Sequence, residues 1–121
     1  SLRRMLDPIK EHVDNNFNPL PAEYTKEFAP VRQKINDLMR MSCEQIETSR
    51  YENYHEILAE ADACKDELSV LRKKHIDRIQ HLSDNSLMQI SLVYLNVLQE
   101  SQEFLSVMRH QLRAAKKFME K

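Results

Sequence analysis

The chain has 121 residues and not one glycine, where an average sequence of this length carries roughly eight. Phosphate-cradling loops, dinucleotide fingerprints and nucleophile elbows all need backbone with no Cβ, so those enzyme classes are excluded. Hairpins with positive φ at both central residues are disfavoured for the same reason. Tryptophan is absent as well, and prolines number four. No apolar run approaches the roughly 20 residues of a membrane span, and no signal-peptide pattern opens the chain. Ser1 stands where a methionine would open a gene product, which points to an excised or processed fragment whose parent can include a membrane portion.

What is present is 41% hydrophobic and 31% charged residues at a net charge of −1, the profile of one all-helical domain. Leu2, Leu6, Ile9, Val13 and Phe17 recur at three- and four-residue spacing and predict a short first helix. Asp7-Pro8 suits its N-cap and first turn, and Asn15 and Asn16 its end. Asn18-Pro19-Leu20-Pro21 then reads as a linker. Tyr24, Phe28, Val31, Ile35, Leu38, Ser42 and Ile46 predict a second helix over residues 23–47, with a defect before Pro30.

Ser49-Arg50-Tyr51-Glu52 has the form of a capping box that opens a third helix. Its stripe is Tyr54, Ile57, Ala61, Cys64, Leu68, Leu71 and His75, extended by Ile76, Ile79 and Leu82. Ser83-Asp84-Asn85 makes the next turn, with Asn85 standing in for a C-cap glycine. Ser86-Leu87-Met88-Gln89 is a second capping box, and a long helix follows to about Glu120. The expected fold is an antiparallel bundle of three long helices over residues 22–121, preceded by a short helix and linker over 1–21. Its spacing is nearer 3.5 than 3.6 and favours shallow crossing angles of about 20°. A rod of this shape has much surface per residue, so pairing with a second copy is expected.

Few residues suggest chemistry. In a hairpin turning near Thr48, Cys43 and Cys64 sit roughly 13 Å apart along the axis, too far for a disulfide. They read as small apolar core residues of a reducing compartment. Among His12, His55, His75, His81 and His110, no two have the four-residue spacing of a metal pair on one helical face. His75 continues an apolar stripe, which suits a hydrogen-bonded core residue, and Asp77 with His81 suits an exposed acid–imidazole pair. Asp62 and Asp66 lie four apart on one face, where like charges repel unless a cation sits between them. They are candidate ligands for a divalent metal, and a solvated acidic face is the plainer reading. Arg72, Lys73, Lys74 and Arg78 form one basic cluster. Arg109, Arg113, Lys116, Lys117 and Lys121 form another, suited either to the helix dipole or to anionic lipid. The slightly acidic balance disfavours nucleic acid.

The stretch from Cys64 to Ile76 (CKDELSVLRKKHI), followed by Ser91 to Ser101 (SLVYLNVLQES), resembles the latter half of a PhoU-like domain. Leu98-Gln99-Glu100-Ser101, Arg109-His110 and Arg113 to Phe118 are similar to the cytoplasmic helical extension of bacterial inorganic phosphate transporters of the sodium-coupled type. The likeness covers about the last 60 residues. It implies a non-enzymatic regulatory or dimerising domain on the cytoplasmic side of the inner membrane, membrane-proximal but not spanning, working beside the transporter's membrane domain on the same parent chain. A stand-alone helical adaptor is the alternative. Family members bind metal through Glu/Asp-x-x-x-Asp motifs, and Asp62 with Asp66 match that spacing. Glu100 and Glu103 are followed four residues later by Phe104 and Val107, so the second half of the motif is missing. No cofactor is implied beyond a possible divalent metal. The apolar face of the last helix, with Tyr94, Leu98, Phe104, Leu105 and Met108, is the expected partner interface.

Overall fold

The computed structural model describes residues 2–17 and 19–120. They form four α-helices and no strand: α1 (Leu2–Phe17), α2 (Ala22–Thr48), α3 (Tyr54–Gln80) and α4 (Asn85–Met119). The all-α expectation holds, and the expected linker and C-terminal cluster lose only Asn18 and Lys121, which lie outside the described residues. The three-helix picture needs correction. α1 runs for 16 residues, and its Leu2, Leu6, Val13 and Phe17 enter the same core as the other helices. It is therefore a fourth packed element rather than an appendage.

Proline positions explain two further differences. α1 begins at Leu2, so Pro8 lies inside it and removes one i to i−4 hydrogen bond. Burial of Leu2 and Leu6 offsets that loss, because an apolar side chain fully buried is worth about 1.5–3 kcal/mol. α2 likewise runs unbroken through Pro30. Ala29 and Pro30 are exposed, so the proline sits on the solvent side of the helix, where water can satisfy the orphaned carbonyl.

The turns also differ from expectation. Ser49 does not cap α3; it ends α2 in the left-handed region at φ 55° and ψ 29°. Its N–H donates to Ile46 O at 3.3 Å, and Arg50 N–H to Gln45 O at 3.1 Å, so the last carbonyls of α2 are satisfied as a glycine cap would do it. α3 starts instead after Asn53, without a side-chain cap. His81 closes α3, and Asp84 is the true N-cap of α4, accepting from Ser86 N–H at 2.9 Å. Asn85 becomes the first residue of α4.

Ion pairs and one side-chain hydrogen bond define the directions. Lys34–Glu67, Lys74–Glu27 and Arg78–Glu23 step oppositely along α2 and α3, so the two are antiparallel. Arg109–Asp62 and Gln102–Ser69 make α3 and α4 antiparallel, and Arg3–Glu47 with Arg32–Asp14 do the same for α1 and α2. α2 and α4 consequently run parallel and touch, while α1 and α3 lie on opposite sides of that pair and, among the described residues, do not meet. α2 and α4 each contact all three other helices, α4 the more extensively. Its Tyr94, Val97, Leu98, Leu105, Met108 and Leu112 have no exposed surface, and at 1.5 Å per residue its 35 residues span about 52 Å.

Two substitutions test this account by urea unfolding. Leu98→Ala is expected to cost about 2–5 kcal/mol through lost burial and a residual cavity, while Val70→Ala on the exposed flank of α3 stays within about 0.5 kcal/mol. Ser49→Gly is expected to stabilise by about 0.5–1 kcal/mol, because glycine adopts positive φ without Cβ strain.

Candidate functional site

A concentrated set of polar and aromatic groups sits where α2 begins, α3 ends and α4 begins. Tyr24 stands on the first turn of α2, His75 near the end of α3, and Ser91 and Tyr94 on the second and third turns of α4. The rings of Tyr24 and Tyr94 stack with centroids 4.6 Å apart and planes inclined by 6°. His75 meets both edge-on, at 4.8 Å and 4.7 Å. Such contacts add about 0.5–1.5 kcal/mol each beyond the area they bury.

Hydrogen bonds tie this aromatic wedge together. His75 Nε2 lies 2.7 Å from the Ser91 carbonyl oxygen. A carbonyl only accepts, so Nε2 carries the proton and Nδ1 holds a lone pair. That Nδ1 is buried without a partner. Tyr24 Oη and Ser91 Oγ share a bond at 3.1 Å. His75 is 0% exposed, so burial lowers its pKa below the ordinary imidazole value, against a smaller upward pull from the Ser91 bond.

A charged layer covers the wedge. Glu27 accepts from Tyr94 Oη at 2.8 Å and from Lys74 Nζ at 3.1 Å, and it also pairs with Arg78. Arg78 donates to Glu23 at 3.0 Å and lies over the Tyr24 ring at 4.9 Å. Burial alone would raise the Glu27 pKa, but the bonds from Arg78, Tyr94 and Lys74 outweigh it and hold the carboxyl below its usual range. Burial and the Glu27 charge push the Tyr94 phenol far up. The phenol therefore stays protonated and serves as a hydrogen-bond donor.

Chemically, this arrangement clamps rather than reacts. His75, the one imidazole in it, has no exposed surface, and its proton is held by a backbone carbonyl. The thiols are similarly quiet. Cys43 and Cys64 are free and buried, as their spacing implied. Burial pushes Cys64 up to about 11 and raises Cys43, leaving little thiolate at neutral pH.

The residues singled out from sequence fall in separate places. Asp62 is exposed, and its carboxylate meets Arg109 Nε at 3.1 Å, so the cation that relieves its charge comes from α4. Asp66 is exposed one turn on. Among the described residues no group of three His, Cys, Asp or Glu side chains is placed to hold a metal ion. Tyr94, Leu98, Phe104, Leu105 and Met108, expected at a partner interface, are between 0% and 2% exposed. They form the bundle's own core, because α1, α2 and α3 together enclose the stripe that a three-helix arrangement would leave free. His75 is the buried, hydrogen-bonded residue its stripe position implied, and His81 lies 3.8 Å from Asp77 at the surface.

Sequence reasoning missed Glu23 and Glu27. A signal was available: these acids are four apart on α2, and Lys74 and Arg78 are four apart on α3, which antiparallel pairing brings together. No family model, curated protein or solved structure matches the chain.

The clamp has a pH signature. An unfolded chain protonates His75 near the ordinary imidazole value of 6.5, while the folded chain does so only at lower pH. The unfolded state then holds more protons, so stability falls as pH drops through that window. Glu27, whose folded pKa is depressed, adds a loss at lower pH still, as its carboxylate becomes protonated. Melting temperatures between about pH 7 and about pH 5.5 are expected to fall for the native chain and to fall less steeply for His75→Gln.

Proposed function

We propose that this chain is a non-enzymatic regulatory domain that works beside a bacterial phosphate carrier, on the cytoplasmic side of the inner membrane and close to it. The reading begins from the PhoU-like pattern of the second half. The observation that carries it is an apolar overhang. Leu87 and Ile90 lie on the core-facing side of α4 but are 47% and 40% exposed, because α2 begins opposite Ser91 and does not reach them. Ile79 near the end of α3 and Leu82 just beyond it are only half-buried. The core stripes of the α3–α4 hairpin thus run past the helices that cover them.

A surface of this kind suits the carrier's membrane domain as its occupant. Exposed Lys73 and Lys74 lie within two turns of the overhang, and lysines there favour a surface bordered by anionic headgroups. Docking that differs between transport states shifts their populations by the difference in binding free energy, with no bond made or broken. The clamp of Tyr24, His75, Ser91 and Tyr94 holds the base of the overhang rigid.

The test is radiolabelled phosphate uptake by cells making the full-length protein that carries this chain. Leu87→Glu with Ile90→Glu is expected to change uptake several-fold at unchanged membrane levels of the protein. Both positions are already wet, so the isolated domain should keep its melting temperature within a few degrees. Unaltered uptake, or a parent protein that moves no phosphate, overturns the reading and leaves an adaptor role in its place.

A further inference from the structure

We propose that the outward face of α4 from Glu100 to Phe118 pairs antiparallel with the same face of a second copy, across a two-fold axis at His110. This goes beyond the function proposed above, and it moves the pairing expected from the sequence off the residues that the fold has buried. It does not require a phosphate carrier.

The face is defined by Glu100, Glu103, Val107, His110, Ala114 and Lys117, which follow one another at three- and four-residue spacing. That alternation is the seam of a two-helix contact. All six are exposed or half-buried, because α1, α2 and α3 occupy the other sides of α4. Glu103 and Lys117 make no ion pair among the described residues, and each stands seven residues from His110. Two-fold antiparallel pairing therefore sets Glu103 against Lys117 of the partner subunit, and does so twice. Val107 falls beside the partner's Ala114, whose small side chain permits close approach. A parallel pairing would instead stack Glu103 on Glu103 and Lys117 on Lys117, opposing like charges. The charge order along the helix selects the antiparallel dimer.

A groove beside the seam supplies an apolar anchor point. It lies between α1 and α4, has a volume of about 400 Å³, and is lined by Pro8, Ile9, His12, Glu100, Phe104 and Val107 among others. The antiparallel register brings the partner's Phe118 to the level of residues 102–103, on the side of the seam where this groove opens. Phe118 is 75% exposed in the single chain, the most exposed of its large apolar side chains. Insertion removes it from water and fills the groove in the same step. The two-fold axis makes the exchange reciprocal, so the contact closes on itself instead of growing into a filament.

Sedimentation equilibrium and oxidative cross-linking of the whole chain test the pairing. The native chain is expected to show a monomer–dimer equilibrium. Glu103→Lys and Lys117→Glu each place two like-charged pairs across the seam and should weaken dimerisation about tenfold or more, roughly 1.4 kcal/mol or above. The double variant restores opposite charges and should recover the native constant. Phe118→Ser should weaken the dimer without lowering the monomer's melting temperature. His110→Cys should cross-link to itself under mild oxidation, since a disulfide needs Cα atoms within about 7 Å, while Val70→Cys on α3 should not. A native chain that stays monomeric at every concentration overturns the proposal. So does a dimer in which the double charge variant fails to recover, or one in which His110→Cys and Val70→Cys cross-link equally. Binding of the monomer to anionic vesicles through Lys117 and Phe118, with no dimer, would assign this face to lipid instead. Because these readouts are mass and cross-linking, they separate cleanly from the uptake measurement.

Discussion

The whole structure depends on the burial of one helix stripe. α4 carries a continuous apolar and small-residue face from Ser91 to Leu112, and every other helix is placed by covering part of it. α2 lies along one side in the same direction, and α1 and α3 fill the two flanks. Each buried side chain on that stripe contributes a few kcal/mol at most, yet together they must outweigh the conformational entropy of four ordered helices. The terms that remain, ion pairs between half-exposed side chains, are individually worth about 0–1 kcal/mol. They fix register more than they supply stability.

Register at one end is set differently, by a buried polar and aromatic wedge. The Tyr24–Tyr94 stack and the His75 bond to Ser91 bring three helices to one point, with Glu27 and Arg78 as a charged cover. Polar groups in such a place are costly unless satisfied, which is why nearly every atom of the wedge has a partner. His75 Nδ1 and, in the cover, Arg78 Nε are the exceptions, and the unpartnered Nδ1 makes the neutral imidazole the form that belongs in the fold. The clamp and the apolar overhang are neighbours for a structural reason. α2 starts at Ala22, so the hairpin of α3 and α4 emerges beyond it, and the wedge marks the level at which coverage ends.

The division between inner and outer faces of α4 also bears on association. Residues read from the sequence as partner contacts are fully or almost fully buried, and the chain itself uses them. What is left outward is an alternation of charge and small side chains, a surface suited to pairing that forms and separates rather than to permanent burial. Regulatory contacts are drawn from surfaces of this kind, because a population shift needs free energies of only a few kcal/mol.

Much of the architecture was legible in the residues alone. The absence of glycine and the three-four spacing of Leu, Ile and Val establish an all-helical chain, and His75 and Ser91 are visible as polar members of apolar stripes. The chemistry of single positions shows there too: cysteines too distant to bond, and acids and bases four apart. Periodicity is a local property, and local physics is enough to produce it. Three-dimensional packing decided the rest. Whether Pro8 and Pro30 break a helix turned on the burial of Leu2 and Leu6 and on a solvent-facing position in α2. Whether Ser49 opens one helix or closes another turned on where α2 ran out of core to cover. Whether Phe104 faces a partner or its own chain turned on α1 occupying a flank. A helix's sequence specifies which side is apolar, but the neighbour that covers it is chosen by the total area all the helices can hide at once.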